Sequence, residues 1–171
     1  MADAPVSTDN NPLLADVSLP LFDQVKSEHV VPGIRSLLEQ SHKQLDDLES
    51  NVTPTWSGLV EPLERIIDRI SRAWGTVSHL KAVKDTEALR NAVEEVQPER
   101  VKLSLRISQS KPLYEAFKSL KETPSTWGSL TGAQKRIVEG ELRDFVLGGV
   151  ALDGKDRERF NEIQQELSQL S

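Results

Sequence analysis

A chain of 171 residues with 37% hydrophobic and 28% charged residues can bury a real core, which excludes a disordered or fibrous protein. Three basic residues against nine acidic ones in the first 50 account for the whole net charge of −6, so no basic stripe is left for nucleic acid; the mild run Arg100, Lys102, Arg106 and Lys111 has no interleaved aromatics. The absence of cysteine excludes disulfides, thiolate metal sites and cysteine nucleophiles.

Residues 1–22 read as an irregular arm, because Pro5, Pro12 and Pro20 interrupt any periodic pattern. Leu13, Leu14, Leu19, Leu21 and Phe22 are the side chains expected to clamp it against the body. The first 25 residues carry Asp3, Asp9, Asp16 and Asp23 and no Lys or Arg, unlike a secretory or organellar leader, so a cytosolic address is expected. No apolar run is long enough to span a bilayer, and no membrane partner is expected.

From residue 23 onward the pattern is helical, and the prediction is an all-α, antiparallel bundle of five to seven helices. The first helix starts between Ser27 and Pro32 and ends near Glu49, with Val30, Ile34, Leu37, Leu38, Leu45 and Leu48 on one stripe. The second runs from Trp56 to about Leu80: Leu59, Val60, Leu63, Ile66, Ile67, Ile70, Trp74 and Val77 recur every three or four residues. Thr55 can cap it, and Glu61, Glu64, Arg65, Asp68, Arg69 and Arg72 read as its solvated face.

Asp85 or Thr86 opens a short third helix that should end after Val96, because Pro98 follows. Val101, Leu103, Leu105 and Ile107 alternate like a strand, yet a lone strand has no partner here, so residues 100–121 are also predicted helical, kinked or divided at Pro112. Thr131 and Gln134 form a capping box for a helix with Ile137, Val138, Leu142, Phe145 and Val146 on its apolar face, stopped by Gly148 and Gly149. After a turn at Asp153 and Gly154, a last helix carries Phe160, Ile163, Leu167 and Leu170 up to the final residue with no capping signal. A missing neighbour on this face is expected.

None of this supplies a catalytic or metal-binding site. A helical zinc site places two histidines four apart around a glutamate, whereas His29, His42 and His79 have no such spacing; His42 is expected to be exposed and His79 to sit at the end of the second helix, near its carbonyls. Adjacent carboxylates such as Asp46 with Asp47 and Glu94 with Glu95 point about 100 degrees apart on a helix and read as solvated faces. No G-x-S-x-G elbow or glycine-rich phosphate loop occurs. The pairing of proline with Trp56 and with Trp127 reads as recurring chemistry at a helix start rather than duplication.

Read as an ordered set, NPLL at 11–14, EHVVP at 28–32, Trp56 with LERI at 63–66, VSHLKAVK at 77–84, EALR at 87–90, AQK at 133–135, LRDF at 142–145 and EI at 162–163 resemble the N-terminal region of the oligopeptidase A and thimet oligopeptidase family of zinc peptidases, in its plant-like cytosolic branch. The resemblance covers nearly the whole chain. It implies membership of a much longer, almost wholly helical enzyme that cleaves short peptides in a channel between two lobes, with these helices in the channel wall. In that family zinc sits on an H-E-x-x-H helix plus a downstream glutamate, a motif without counterpart here, so no catalytic or metal-binding residue carries over and the chain alone is expected to be inactive. The resemblance implies a catalytic lobe docking on the late helices; the alternative is a stand-alone truncated paralogue acting as a helical interaction module.

Overall fold

The computed structural model describes residues 10–170, which form seven α-helices and one π-helical turn without any strand. In chain order these are α1 (Ser27–Asn51), the π turn (Trp56–Val60), α2 (Glu61–Val83), α3 (Glu87–Ser108), α4 (Lys111–Glu122), α5 (Pro124–Ser129), α6 (Gly132–Leu147) and α7 (Gly154–Leu170). Residues 1–9 of the predicted arm and Ser171 lie outside the described residues.

The apolar stripes predicted for α1 and α2 are the ones that face inward. Val30, Ile34, Leu37 and Leu45 of α1 are fully covered, as is Val77 of α2, with Ile66 and Ile70 nearly so while Arg65 is exposed. Contacts of residue 35 with residues 95 and 99, and of 42 and 46 with 106, increase together, so α1 and α3 run parallel. Contacts of 97 with 168 and of 109 with 157 run in opposition, so α7 lies antiparallel to α3. α2 runs antiparallel to both α1 and α3, the up-down-up arrangement that short connections favour.

The caps form largely where the sequence places them. The Thr55 hydroxyl accepts from the Gly58 amide at 3.0 Å, Thr86 accepts from Leu89 at 3.2 Å, and Thr131 exchanges bonds with Gln134 as a capping box. Gly149 ends the α6 region at φ 86°, a backbone conformation that glycine adopts without steric cost.

Two expectations about the helices are corrected, the end of α3 and the inward face of α6. α3 does not stop before Pro98 but continues through it to Ser108, and the break falls before α4, where Pro112 occupies the first turn and divides the helices as expected. Leu89, Val93, Val96, Arg100, Leu103 and Ile107 keep one unbroken spacing of three and four across the proline, and Gln165 of α7 donates to the Pro98 carbonyl at 3.2 Å. Tertiary packing therefore outweighs the roughly 3 kcal/mol that an interior proline costs. The strand-like alternation arises because α3 is covered on two sides, Leu103 facing the core and Val101 and Leu105 lying beneath α7. On α6, Ile137 and Val146 are exposed, and only Val138 and Phe145 are fully inside.

The arm is tied down by chemistry rather than by its leucines alone. Asn11 is buried: its Oδ1 accepts from the Leu13 amide at 3.0 Å and its Nδ2 donates to the His29 carbonyl at 2.8 Å, close against Gly33, where a Cβ would meet it at 2.8 Å. Arg72 donates to the carbonyls of Val17 and Ser18 at 3.1 and 2.9 Å, and Arg69 to that of Ala15 at 3.3 Å. Two arginines read as part of a solvated face thus hold the arm. Leu13 is buried and Leu19 is largely exposed, while Phe22, 41% exposed, rests its ring on α2.

Candidate interaction surface

The three histidines lie on separate features. His29 accepts from the Lys26 amide at the start of α1, at 3.1 Å; His79 lies four residues before the end of α2 and meets the Phe22 ring edge-on at 5.2 Å instead of capping carbonyls. His42 is half-buried rather than exposed, with its Nδ1 3.0 Å from a guanidinium nitrogen of Arg106. Among the described residues no group of three or more His, Cys, Asp or Glu side chains is arranged to hold a metal ion.

Arg106 organises a charged cluster where α1 crosses α3. It pairs with Asp46 and, at 3.2 Å, with Glu49, whose other oxygen accepts from the Ser110 hydroxyl at 2.6 Å. Asp46 is therefore paired instead of being merely solvated, as is Glu95, which meets Arg35 at 2.9 Å. The run read as mildly basic is dispersed: Arg106 is neutralised, Lys111 reaches Asp153 at 3.2 Å, and Arg100 lies over the Trp74 ring, 4.7 Å from its centroid. Trp127 lies within the short α5, flanked by Lys121 and Lys135 at 5.8 and 5.4 Å.

Burial holds the His42 pKa below its ordinary value, and the Arg106 charge pushes it the same way against a weaker opposing pull from Asp46. The unfolded chain therefore binds this proton more readily than the folded one. Stability from this group is complete above about pH 6.5 and is lost as pH falls through the lower folded value. Urea unfolding at about pH 7.5 and 5.5 should show a loss of stability on acidification that His42→Gln reduces; an unchanged pH difference in the variant would exclude this origin.

The other prominent feature is a groove along α3. At one end Ile67, Ile70 and Trp74 of α2, Leu103 and Ile107 of α3 and Phe145 of α6 enclose a mostly apolar cleft of about 220 Å³. Arg100, Ser104, Ser108 and Asp144 are shared with a second cleft, walled by Leu147 of α6 and by Phe160 and Leu167 of α7, so the two adjoin along α3. The stripe on α7 is incompletely covered: Ile163, Leu167 and Leu170 are 39%, 56% and 85% exposed, and no residue of this helix is fully buried.

The described residues thus form an all-helical module with an apolar groove along α3. Residues 34–157 match the N-terminal domain of the neurolysin/thimet oligopeptidase family. The chain is 55% identical to a probable cytosolic oligopeptidase A and 54% identical to an organellar, chloroplastic/mitochondrial oligopeptidase A, both from Arabidopsis thaliana, over 95% of its length; these matches cover 23% and 20% of the two relatives. It is 35% identical to oligopeptidase A of Escherichia coli (strain K12) over 94% of the chain and 24% of that relative. The chain belongs to the neurolysin/thimet oligopeptidase family and corresponds to its non-catalytic N-terminal helical domain. It spans about a quarter or less of the length of these curated relatives.

Proposed function

We propose that this chain is the helical N-terminal module of an oligopeptidase A-like zinc peptidase, contributing to the wall of a channel in which a full-length enzyme degrades short peptides. The observation that carries this reading is the match to the family's N-terminal domain by a sequence without an H-E-x-x-H motif. Zinc and the residues that hold it then belong to the remainder of the longer protein, with no catalytic or metal-binding residue here. Residues 1–22 act as an arm and residues 23–171 as the helical domain. Similarity to the probable cytosolic relative supports action in the cytoplasm.

Two measurements test this together. Purified chain supplied with zinc should show no chelator-sensitive cleavage of short peptides. Co-expressed with the part of the cytosolic Arabidopsis relative that lies outside the matched segment, it should form a stable complex that cleaves them. Chelator-sensitive turnover by the chain alone overturns the non-catalytic assignment, and failure to assemble favours the alternative of a stand-alone interaction module, for which the open α7 stripe is the supporting observation.

A further inference from the structure

Arg100 breaks the rule that the rest of α3 obeys. Leu89, Val93, Val96, Leu103 and Ile107 are the apolar members of its inward stripe, and Arg100 stands at the next place in that spacing. Its side chain is half-buried, and among the described residues its buried Nε has no hydrogen-bond partner. Its one contact of note is the Trp74 face, which attracts the cation but leaves the Nε–H donor unmatched. On the α6 wall of the same cleft stands Glu141, with no ion pair among the described residues. Burial first, and then the charges of Asp144 and Glu64, raise its pKa, as expected for a carboxylate held away from any cation. Two unmatched groups of opposite sign thus line one apolar cleft without meeting each other.

Leaving a half-buried guanidinium donor unmatched is costly, and an apolar groove open to water is costly too. One occupant relieves both: a helix whose apolar side chains fill the groove and which carries a carboxylate at the level of Arg100. We propose that the α2–α3–α6–α7 groove receives an amphipathic helix from the catalytic lobe, seated by a carboxylate on Arg100 and by a basic side chain towards Glu141. For the source of the helix this rests on the function proposed above; its chemistry rests on the groove alone. The matched relatives are at least four times longer than the segment this chain covers, which leaves ample chain to supply it.

The probe is a synthetic amphipathic helical peptide of about 18 residues with leucines at i, i+3, i+4 and i+7, one glutamate centred on the leucine face and lysines elsewhere. Its counterparts carry glutamine or lysine at the centre. A chain of net charge −6 favours the more basic peptide by bulk attraction, so a preference for glutamate runs against the non-specific trend. Expected are amide shifts confined to the groove around Ser104 and Ser108, and binding of the glutamate peptide about tenfold tighter than that of the glutamine one. Arg100→Met should abolish that preference. Ser104→Trp, an exposed position in the groove, should block binding outright and carries the test if Arg100→Met does not fold. Equal affinities, a preference that survives Arg100→Met, binding that survives Ser104→Trp, or shifts elsewhere each overturn the proposal. Assembly with the downstream region that withstands both substitutions defeats the groove but keeps the lobe reading, whereas no assembly by the unmodified chain defeats the lobe as the source.

Discussion

Replacing Phe117 with alanine should lower the unfolding free energy by about 3–5 kcal/mol, a large share of the roughly 5–15 kcal/mol expected for a domain of this size. Phe117 is 0% exposed, lies on α4 between the fully covered Leu113 and Leu120, and meets the ring of Phe145 on α6 at 5.6 Å between centroids. Tyr114 approaches the same Phe145 ring at 6.0 Å, so one phenylalanine of α6 is held by two rings of α4. Truncation removes the transfer energy of the phenyl group, leaves a cavity that the packed α4 and α6 cannot easily collapse into, and forfeits the ring pair. In urea, the midpoint should fall with the slope unchanged, while Phe22→Ala, at a ring of the arm that stays 41% exposed, should cost far less. A loss for Phe117→Ala no greater than that for Phe22→Ala would mean that α4 and α6 are not packed as described.

The features legible in the sequence are those with a local cause. Three/four spacing identifies α1 and α2, Thr55 and Thr131 announce helix starts, and Gly148 with Gly149 announces a stop, because each rule acts within a few residues. The features hidden from the sequence depend on distant partners. Pro98 looks like a boundary until Gln165, 67 residues away, is seen to hold its carbonyl, although the unbroken stripe from Leu89 to Ile107 already carried the contrary signal. Arg69 and Arg72 look solvated because nothing periodic in the arm tells where its carbonyls will lie. α5 is six residues long with no buried side chain and leaves no pattern to read. The groove leaves one trace in the sequence, the arginine in an apolar stripe, which Lys102, Arg106 and Lys111 disguise as part of a basic run.

The last helix should open well before the rest of the domain. What holds α7 to α3 is largely polar: Gln109 Nε2 donates to Asn161 at 2.8 Å, Arg157 Nε donates to Gln109 Oε1 at 2.8 Å, and Gln165 reaches the Pro98 carbonyl. Such bonds exchange for water at a net of about 0.5–1.5 kcal/mol each, whereas full burial of a leucine or isoleucine contributes roughly 1.5–3 kcal/mol, of which Leu170 forgoes most, Leu167 about half and Ile163 a smaller share. Ile66 and Ile70, almost wholly covered, open only with the core. Amides 160–170 should therefore exchange about 100-fold or more faster than amides 66–70 in dilute protein, and Gln109→Ala, which removes the side-chain bonds to Arg157 and Asn161 and leaves only Arg157's bond to the residue 109 carbonyl, should quicken the former and leave the latter unchanged. An uncovered stripe can also be relieved by self-association, so protection of α7 that rises with concentration, alongside a heavier species in sedimentation, is the same surface finding a partner. Equal protection of the two segments in a protein that stays monomeric at every concentration would mean that α7 is held far more firmly than its burial implies, and that its apolar stripe lacks no neighbour.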